Sequence, residues 1–264
     1  MFPYLQIPPW HLGPYSFGVF RILVVTGILV GYFTMLRQAR RAGLDTGCAA
    51  ELCIWAVICG LLGAHWFKLA YQPLLLWRDP LMLIQVFNGL ASFGGVAGGL
   101  IGAAIFFRRR PMPAIDVFRY LDLLAFAFLC GLLFGRFGCY TAHDHPGIRT
   151  TSWLAVQYPK GPRYDLGLLE VLLIPFFLGL FGVVKRFRLP GLYVGAVLIL
   201  YPCARLWLDT LHEHPPRYWG ISVDQYASFA CILVGVAILV SMLRGAARKT
   251  AVPASLPAAA SDRP

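Results

Sequence analysis

Leu121-Asp122-Leu123-Leu124-Ala125-Phe126-Ala127-Phe128-Leu129-Cys130-Gly131-Leu132-Leu133-Phe134 is an almost unbroken apolar run, and Gly135-Arg136-Phe137-Gly138-Cys139-Tyr140 closes it with an arginine between glycines. Thr141-Ala142-His143-Asp144-His145-Pro146-Gly147 follows at once, so the chain passes directly from hydrocarbon-like composition to imidazoles and carboxylates. A run of this kind reads as a membrane helix. A guanidinium at its end marks a candidate functional site, because a charge at a bilayer edge is costly unless something anionic meets it. Gly135 and Gly138 let a flat, charged ligand approach the backbone closely. A lipid phosphate has the charge to answer Arg136.

The rest of the chain shares this character. Hydrophobic residues make up 58% of 264 positions and charged residues 13%, and the mean hydropathy is +0.67. A soluble domain of this length could not bury so much apolar surface. The expected fold is an all-α polytopic membrane protein of about seven transmembrane helices joined by small periplasmic loops. The spans fall at roughly Gly18–Leu36, Cys48–Leu69, Phe93–Phe107, Val117–Phe134, Gly167–Val184, Gly191–Leu211 and Ile221–Leu243. Most approach the ~20 residues that a bilayer core needs; Phe93–Phe107 is short. The apolar stretch Leu74–Leu90 is broken by Trp77-Arg78-Asp79-Pro80 and reads as a re-entrant or interfacial piece. Residues 1–249 form one integral-membrane domain in this reading, and 250–264, rich in Ala, Pro and Ser, a disordered cytoplasmic tail.

Orientation follows from the basic residues. Arg37, Arg40 and Arg41 follow the first span, and Arg108, Arg109, Arg110 and Arg119 the third. Lys185, Arg186 and Arg188 follow the fifth, and Arg244, Arg248 and Lys249 the seventh. These alternate loops are therefore expected to be cytoplasmic, with the N-terminus outside and the C-terminus inside. The net charge of +11 is accounted for by that topology and not by nucleic-acid binding. Met1–Pro14 is proline-rich and lacks a basic start, so no cleavable signal is expected. The seven cysteines are odd in number and contain no CxxC pair, which argues against a disulfide framework.

Threading the chain this way gathers its polar residues. All six histidines, His11, His65, His143, His145, His212 and His214, fall at or near the outer face, with Arg136, Asp144, Arg163 and Arg217. Tyr201, Arg205 and Asp209 form an i, i+4, i+8 stripe in the outer half of the sixth span. Such a stripe either locks helices together as a buried ion pair or serves function. Arg136 at the same depth favours function, since two arginines in one apolar place call for a shared anion. A metal site is a second possibility: His143-Asp144-His145 and His212-Glu213-His214 offer four imidazoles and two carboxylates on one side. No cofactor is expected. A transporter is disfavoured, because the polar groups cluster on one face and do not line a path.

These pieces, in this order, resemble the prolipoprotein diacylglyceryl transferases of bacterial inner membranes over nearly the whole chain. Gly135-Arg136-Phe137-Gly138-Cys139-Tyr140, with Asp144 and Gly147 after it, is similar to the family's G-R-x-G-N-F-x-N-x-E-x-x-G signature. Arg163 to Glu170 is similar to its R-H-P-x-Q-L-Y-E segment, and Tyr201, Arg205 and Asp209 to a Y-x-x-x-R-x-x-x-E helix. Gly220-Ile221-Ser222-Val223-Asp224-Gln225 resembles a G-L-T-x-x-Q that opens the last span, and Asn88 to Gly99 a glycine-rich G-G-M-S-F-H-G-G-L stretch.

The resemblance implies transfer of a diacylglyceryl group from phosphatidylglycerol to the lipobox cysteine thiol of a preprolipoprotein, in the inner membrane and with glycerol phosphate released. Arg136 and Arg205 would hold the leaving phosphate. Tyr201 and Asp209 would orient Arg205. Gly94, Gly95, Gly135, Gly138, Cys139, His145, Gly147, Arg163 and Glu170 would contact the substrates. The thiol needs a base, because little of a free cysteine is thiolate at neutral pH. Here the chain departs from the family. The H-G-G histidine is Phe93, the signature asparagine is Cys139, the first-span tyrosine is Phe17 and the R-H-P histidine is Tyr164. The acidic positions are the shorter Asp144 and Asp209. Either His143 or His145, with Asp144 beside them, replaces the base, or the chain modifies another acceptor or binds lipid without turnover.

Overall fold

Long apolar segments in this chain fold as α-helices, because a helix satisfies its backbone hydrogen bonds internally where no water is present. The computed structural model describes residues 1–5, 7–8, 10–12, 15–69, 91–213 and 217–251. Its long helices are α1 (Val19–Arg41), α2 (Thr46–Leu69), α3 (Ser92–Arg109), α4 (Ala114–Ala142), α5 (Leu166–Val184), α6 (Leu192–Asp209) and α7 (Val223–Ala251). Six of them, α1, α2 and α4 to α7, are long and apolar enough to cross a membrane. The architecture is that of a polytopic membrane protein. α3, expected as a further span, falls short of this measure: it is an 18-residue helix diluted by glycines and closed by Arg108 and Arg109. The interfacial piece expected around Trp77–Pro80, Asn88, His214 and residues 252–264 lie outside the described residues, as do the side chains of His11, Phe17 and Arg217. α7 continues through Thr250 and Ala251. All seven cysteines are free.

The helices are apolar on their outward as well as their inward faces. Phe33 (63% exposed), Trp66, Ile101, Phe176, Trp207 and Leu233 (70%) point away from the bundle. Met35, Leu52, Phe106, Leu129, Phe177 and Tyr193 fill its interior. A helix hydrophobic all round belongs in lipid or in a large core. Backbones meet where side chains are missing. A Cβ on Gly27 would come within 2.5 Å of the Gly131 carbonyl oxygen, which fixes α1 against α4. The glycine-rich start of α3 does the same against α2: a Cβ at Gly98 would lie 2.1 Å from the Cys59 carbonyl oxygen. Small residues at such seams permit the close approach that drives helix association in membranes.

Side-chain caps set the helix ends. Asp122, within α4, accepts from the backbone N–H groups of Gly191 and Val194, both at 2.8 Å, so the carboxylate that interrupts the apolar run caps α6. Asp165 caps α5 by accepting from Leu168 N at 3.1 Å. Ser222 and Gln225 form a reciprocal capping box that opens α7. The helix ends are joined by more structure than small loops. Strands β1 (Trp10–Leu12) and β2 (Tyr15–Phe17) form a hairpin, and β6 (Arg217–Tyr218) pairs with β7 (Ile221–Ser222). Between α4 and α5, β3 (Pro146–Arg149), β4 (Val156–Tyr158) and β5 (Gly161–Asp165) make an antiparallel sheet with β5 in the centre. The N-terminal segment is strapped to this sheet by Phe2 N to Ala155 O (2.7 Å) and Gln157 N to Phe2 O (3.1 Å).

Candidate functional site

Four helix ends converge beside that sheet: the C-termini of α4 and α6 and the N-termini of α5 and α7. Arg136, Glu170, Arg205 and Asp224 each lie within about 9 Å of a helix end at 1.5 Å per residue. Glu170 is completely buried and sits between the two arginines. Arg205 donates from Nη1 to Glu170 Oε1 (2.9 Å) and from Nη2 to Asp224 Oδ2 (2.8 Å). Tyr201 donates its hydroxyl to Glu170 Oε2. Arg136 Nε is 2.9 Å from that same oxygen, yet its N–H is not aimed at it and makes no hydrogen bond. Arg205 Nε is likewise buried without a hydrogen-bond partner. Two cations face two carboxylates, so the cluster is balanced in charge but incomplete in hydrogen bonds. Arg163 Nε and Ser228 Oγ are open as well, so it is an open donor beside a cavity that marks a place for a ligand.

Arg136 opens onto a cavity of about 320 Å³ among α1, α2, α3, α4, α6 and α7. Its lining is almost entirely apolar and includes Phe93, Gly95, Gly135, Cys139 and Tyr201. Nothing lies within 4 Å of where a Gly135 Cβ would stand, so this glycine leaves the cavity space that any other residue would fill. Phe93, 5% exposed, occupies the wall where a proton acceptor was sought.

Several expected site residues also engage other parts of the chain. Glu170, expected to contact substrate, holds Arg136, Tyr201 and Arg205. Asp209, expected to orient Arg205, accepts from Ser222 Oγ at 3.0 Å, because Ser222 at the start of α7 meets the end of α6 there. Arg205 takes Asp224 instead. Tyr201 reaches Arg205 only through Glu170. Gly94 packs on α2, where its Cβ would meet Phe67 Cβ at 2.3 Å, and Gly138 packs on α1 against Phe20. Gly147 bridges to His212, and a Cβ there would lie 2.8 Å from the Leu211 carbonyl oxygen. Arg163 is paired with Glu213 and lies over the Tyr158 ring, tying β5 to the segment after α6.

His143 is placed unlike a base. It ends α4 in the left-handed conformation (φ 51°), stacks on Tyr4 at 3.9 Å, and has both ring nitrogens engaged. Nδ1 is 2.9 Å from Asp165 Oδ2 and Nε2 is 3.0 Å from the Leu5 carbonyl oxygen. Each ring nitrogen therefore already faces an oxygen of the protein's own. His143 is also not among the residues lining the cavity. Of the expected four-imidazole metal arrangement, His143 lies against Asp165 and His214 is outside the described residues. The structure instead brings Cys139, Asp144 and His145 together, with one ligand atom of each within 4.8 Å of the others. Burial pushes the His145 imidazole down to about 4; Asp144 opposes the shift, and Arg136 and Arg205 add to it. His212, its ring 6.2 Å away, is lowered as well, first by burial and then by Arg205.

Sequence reasoning quoted Asp224 but gave it no role. The signal was present: Ser222-x-x-Gln225 is a capping box that fixes the start of α7 and sets Asp224 in its first turn. The Asp165–Tyr158–His143 network gave no comparable signal, since its members come from three different elements.

Comparison with known proteins gives a family and its relatives. The family model described as prolipoprotein diacylglyceryl transferase matches residues 9–241. A relative from Chromohalobacter salexigens is 28% identical, covering 87% of this chain and 89% of its own. One from Leifsonia xyli is 27% identical over 88% of this chain and 78% of its own, and one from Symbiobacterium thermophilum 26% over 89% and 91%. Each of the three bears the name phosphatidylglycerol–prolipoprotein diacylglyceryl transferase.

Proposed function

The chain belongs to the prolipoprotein diacylglyceryl transferase family, and we propose that it moves a diacylglyceryl group from phosphatidylglycerol to the lipobox cysteine thiol of a preprolipoprotein. The observation that carries this reading is Arg136: a buried guanidinium with an unbonded N–H at the polar end of an apolar cavity. A phospholipid has both halves of the complement, an anionic phosphate and hydrocarbon. The cavity is at the low end of the roughly 300–1,000 Å³ typical of small-ligand sites. It suits the glycerol phosphate and the first acyl carbons, with the rest of each chain among the helices and the bilayer. Arg136 and Arg205 stabilise the negative charge that builds on the leaving phosphate, fixed in advance by Glu170 and Asp224. Tyr201 positions Glu170, and Gly95 and Gly135 keep the cavity open. Cys139 and His145 lie where the acceptor thiol arrives.

The membrane reading is completed in the same terms. We place the N-terminus and the β3–β5 sheet on the outer side of the bacterial inner membrane, and α3 as a seventh span packed on α2 through its glycines. Residues 1–249 act as one membrane domain. Basic residues after α1, α3 and α5 support that orientation. A second reading, lipid binding without turnover, is favoured by Phe93 in the cavity wall.

The deciding measurement uses the full chain in phosphatidylglycerol vesicles with a lipobox peptide and mass spectrometry. A thioether-linked diacylglyceryl adduct is expected, reduced by about 10²–10³ in Arg136→Ala. A peptide left unmodified by the unmutated protein, with lipid still bound, would establish the second reading. Complementation of a strain lacking the transferase gives the same decision in cells.

A further inference from the structure

We propose that Cys139, Asp144 and His145 form a divalent-metal site of the zinc type, and that its ion binds and activates the acceptor thiol; the second half rests on the transferase reading above. The site is built by one local device. α4 runs through Cys139 and stops at His143, whose left-handed turn reverses the chain so that Asp144 and His145 fold back over the last helical turn. The turn is pinned: His145 O accepts from Leu166 N at 3.1 Å. Three ligand atoms, one sulfur, one carboxylate oxygen and one imidazole nitrogen, then lie within 4.8 Å of one another. Tetrahedral zinc with bonds of ~2.0–2.3 Å separates its ligand atoms by about 3.3–3.8 Å. A closure of about an ångström by these side chains therefore completes the tripod.

Chemistry and charge agree. A thiolate, a carboxylate and an imidazole suit zinc, and three protein ligands leave a fourth position open, as catalytic sites do. Thiolate and carboxylate together balance a divalent charge. The opposing charge of Arg136 and Arg205 is offset in part, because Glu170 and Asp224 pair with them. Cys139 is 8% exposed and lines the same cavity as Arg136, whereas Asp144 on the other side is exposed. The ion would thus stand between the lipid cavity and the polar end of the bundle, where a peptide cysteine must enter. Phe93 in the cavity wall cannot take a proton; a metal removes that need, since a thiol bound to such an ion is deprotonated outright.

The step balances without another reactant. The acceptor thiol loses its proton to water as its sulfur binds the ion. A sulfur lone pair forms the S–C bond at the glycerol carbon, and the C–O bond to phosphate breaks. Its electrons stay on the departing oxygen, giving a phosphate monoester beside Arg136.

The test uses the purified full chain in detergent, loaded with Zn²⁺ or Co²⁺ and freed of excess metal. The expected result is stoichiometric zinc by elemental analysis and a thiolate-to-cobalt charge-transfer band. Both are lost in Cys139→Ser and His145→Ala and kept in Cys53→Ala, with each variant checked for folding by size-exclusion and thermal unfolding. Absence of retained metal in the folded unmutated chain, or a thiolate–cobalt band that survives Cys139→Ser, overturns the site. The transfer assay separates the two readings. Full transfer by protein shown to be metal-free overturns the metal role and leaves the transferase standing. Zinc held by these residues in a chain that transfers nothing leaves the site standing and removes the transferase reading.

Discussion

Two buried networks of charged and polar groups lie at one end of the helix bundle, and they differ in completeness. In the first, Asp165 caps α5 through Oδ1, while its Oδ2 accepts from Tyr158 and faces His143, whose other nitrogen meets the Leu5 carbonyl. In the second, Glu170 and Asp224 hold Arg136 and Arg205 but leave an N–H open on each guanidinium. The residue types alone would favour the first as the catalytic group, because it contains a histidine and an aspartate. The bonding says the opposite. A network that satisfies its own members fastens chain segments together; one left incomplete beside a cavity is prepared for a ligand.

The comparison can be broken, and the largest effect is expected at Glu170. Glu170→Ala leaves the buried Arg136 without its carboxylate and Arg205 with Asp224 alone, and should cost about 3–5 kcal/mol, seen as a large fall in unfolding temperature in detergent. Arg136→Lys keeps the charge but not the planar fork, and transfer should fall by about 10²–10³ with a much smaller change in unfolding temperature. Equal losses of stability and transfer there would make Arg136 another fastening. His143→Gln leaves Asp165 with a poorer partner, so about 1–3 kcal/mol of stability should go, while transfer per folded molecule stays within a few-fold. If transfer collapses as in Arg136→Lys, the histidine network takes part in the chemistry after all. The smallest effect belongs to Ser222→Ala, where loss of the capping box costs about 1 kcal/mol; transfer should weaken modestly as Asp224 loses its fixed place beside Arg205.

The roles that the sequence concealed follow a pattern. Arg136 and Arg205 could be picked out because a charge in an apolar run has few other uses. Tyr201, Arg205 and Asp209 could be placed on one face because helical spacing is periodic. Their partners could not: Arg205 takes Glu170 and Asp224 from two other helices, and Asp209 is drawn off by Ser222. The glycines misled for a related reason. Gly94 and Gly135 look alike in the chain, but a Cβ on one collides with Phe67 on α2 and on the other meets open space. Nothing local distinguishes a glycine that admits a helix from one that admits a ligand.

The sequence by itself determined the membrane architecture, the helical segments and the arginines at one end, because hydrophobicity, periodicity and the cost of a buried charge act on residues in order along the chain. Tertiary structure alone decided which polar groups are satisfied, that His143 is occupied, and that Cys139 meets Asp144 and His145. Those outcomes depend on the meeting of helix ends far apart in sequence and on one left-handed turn, and hydrogen-bond completeness is a property of that meeting.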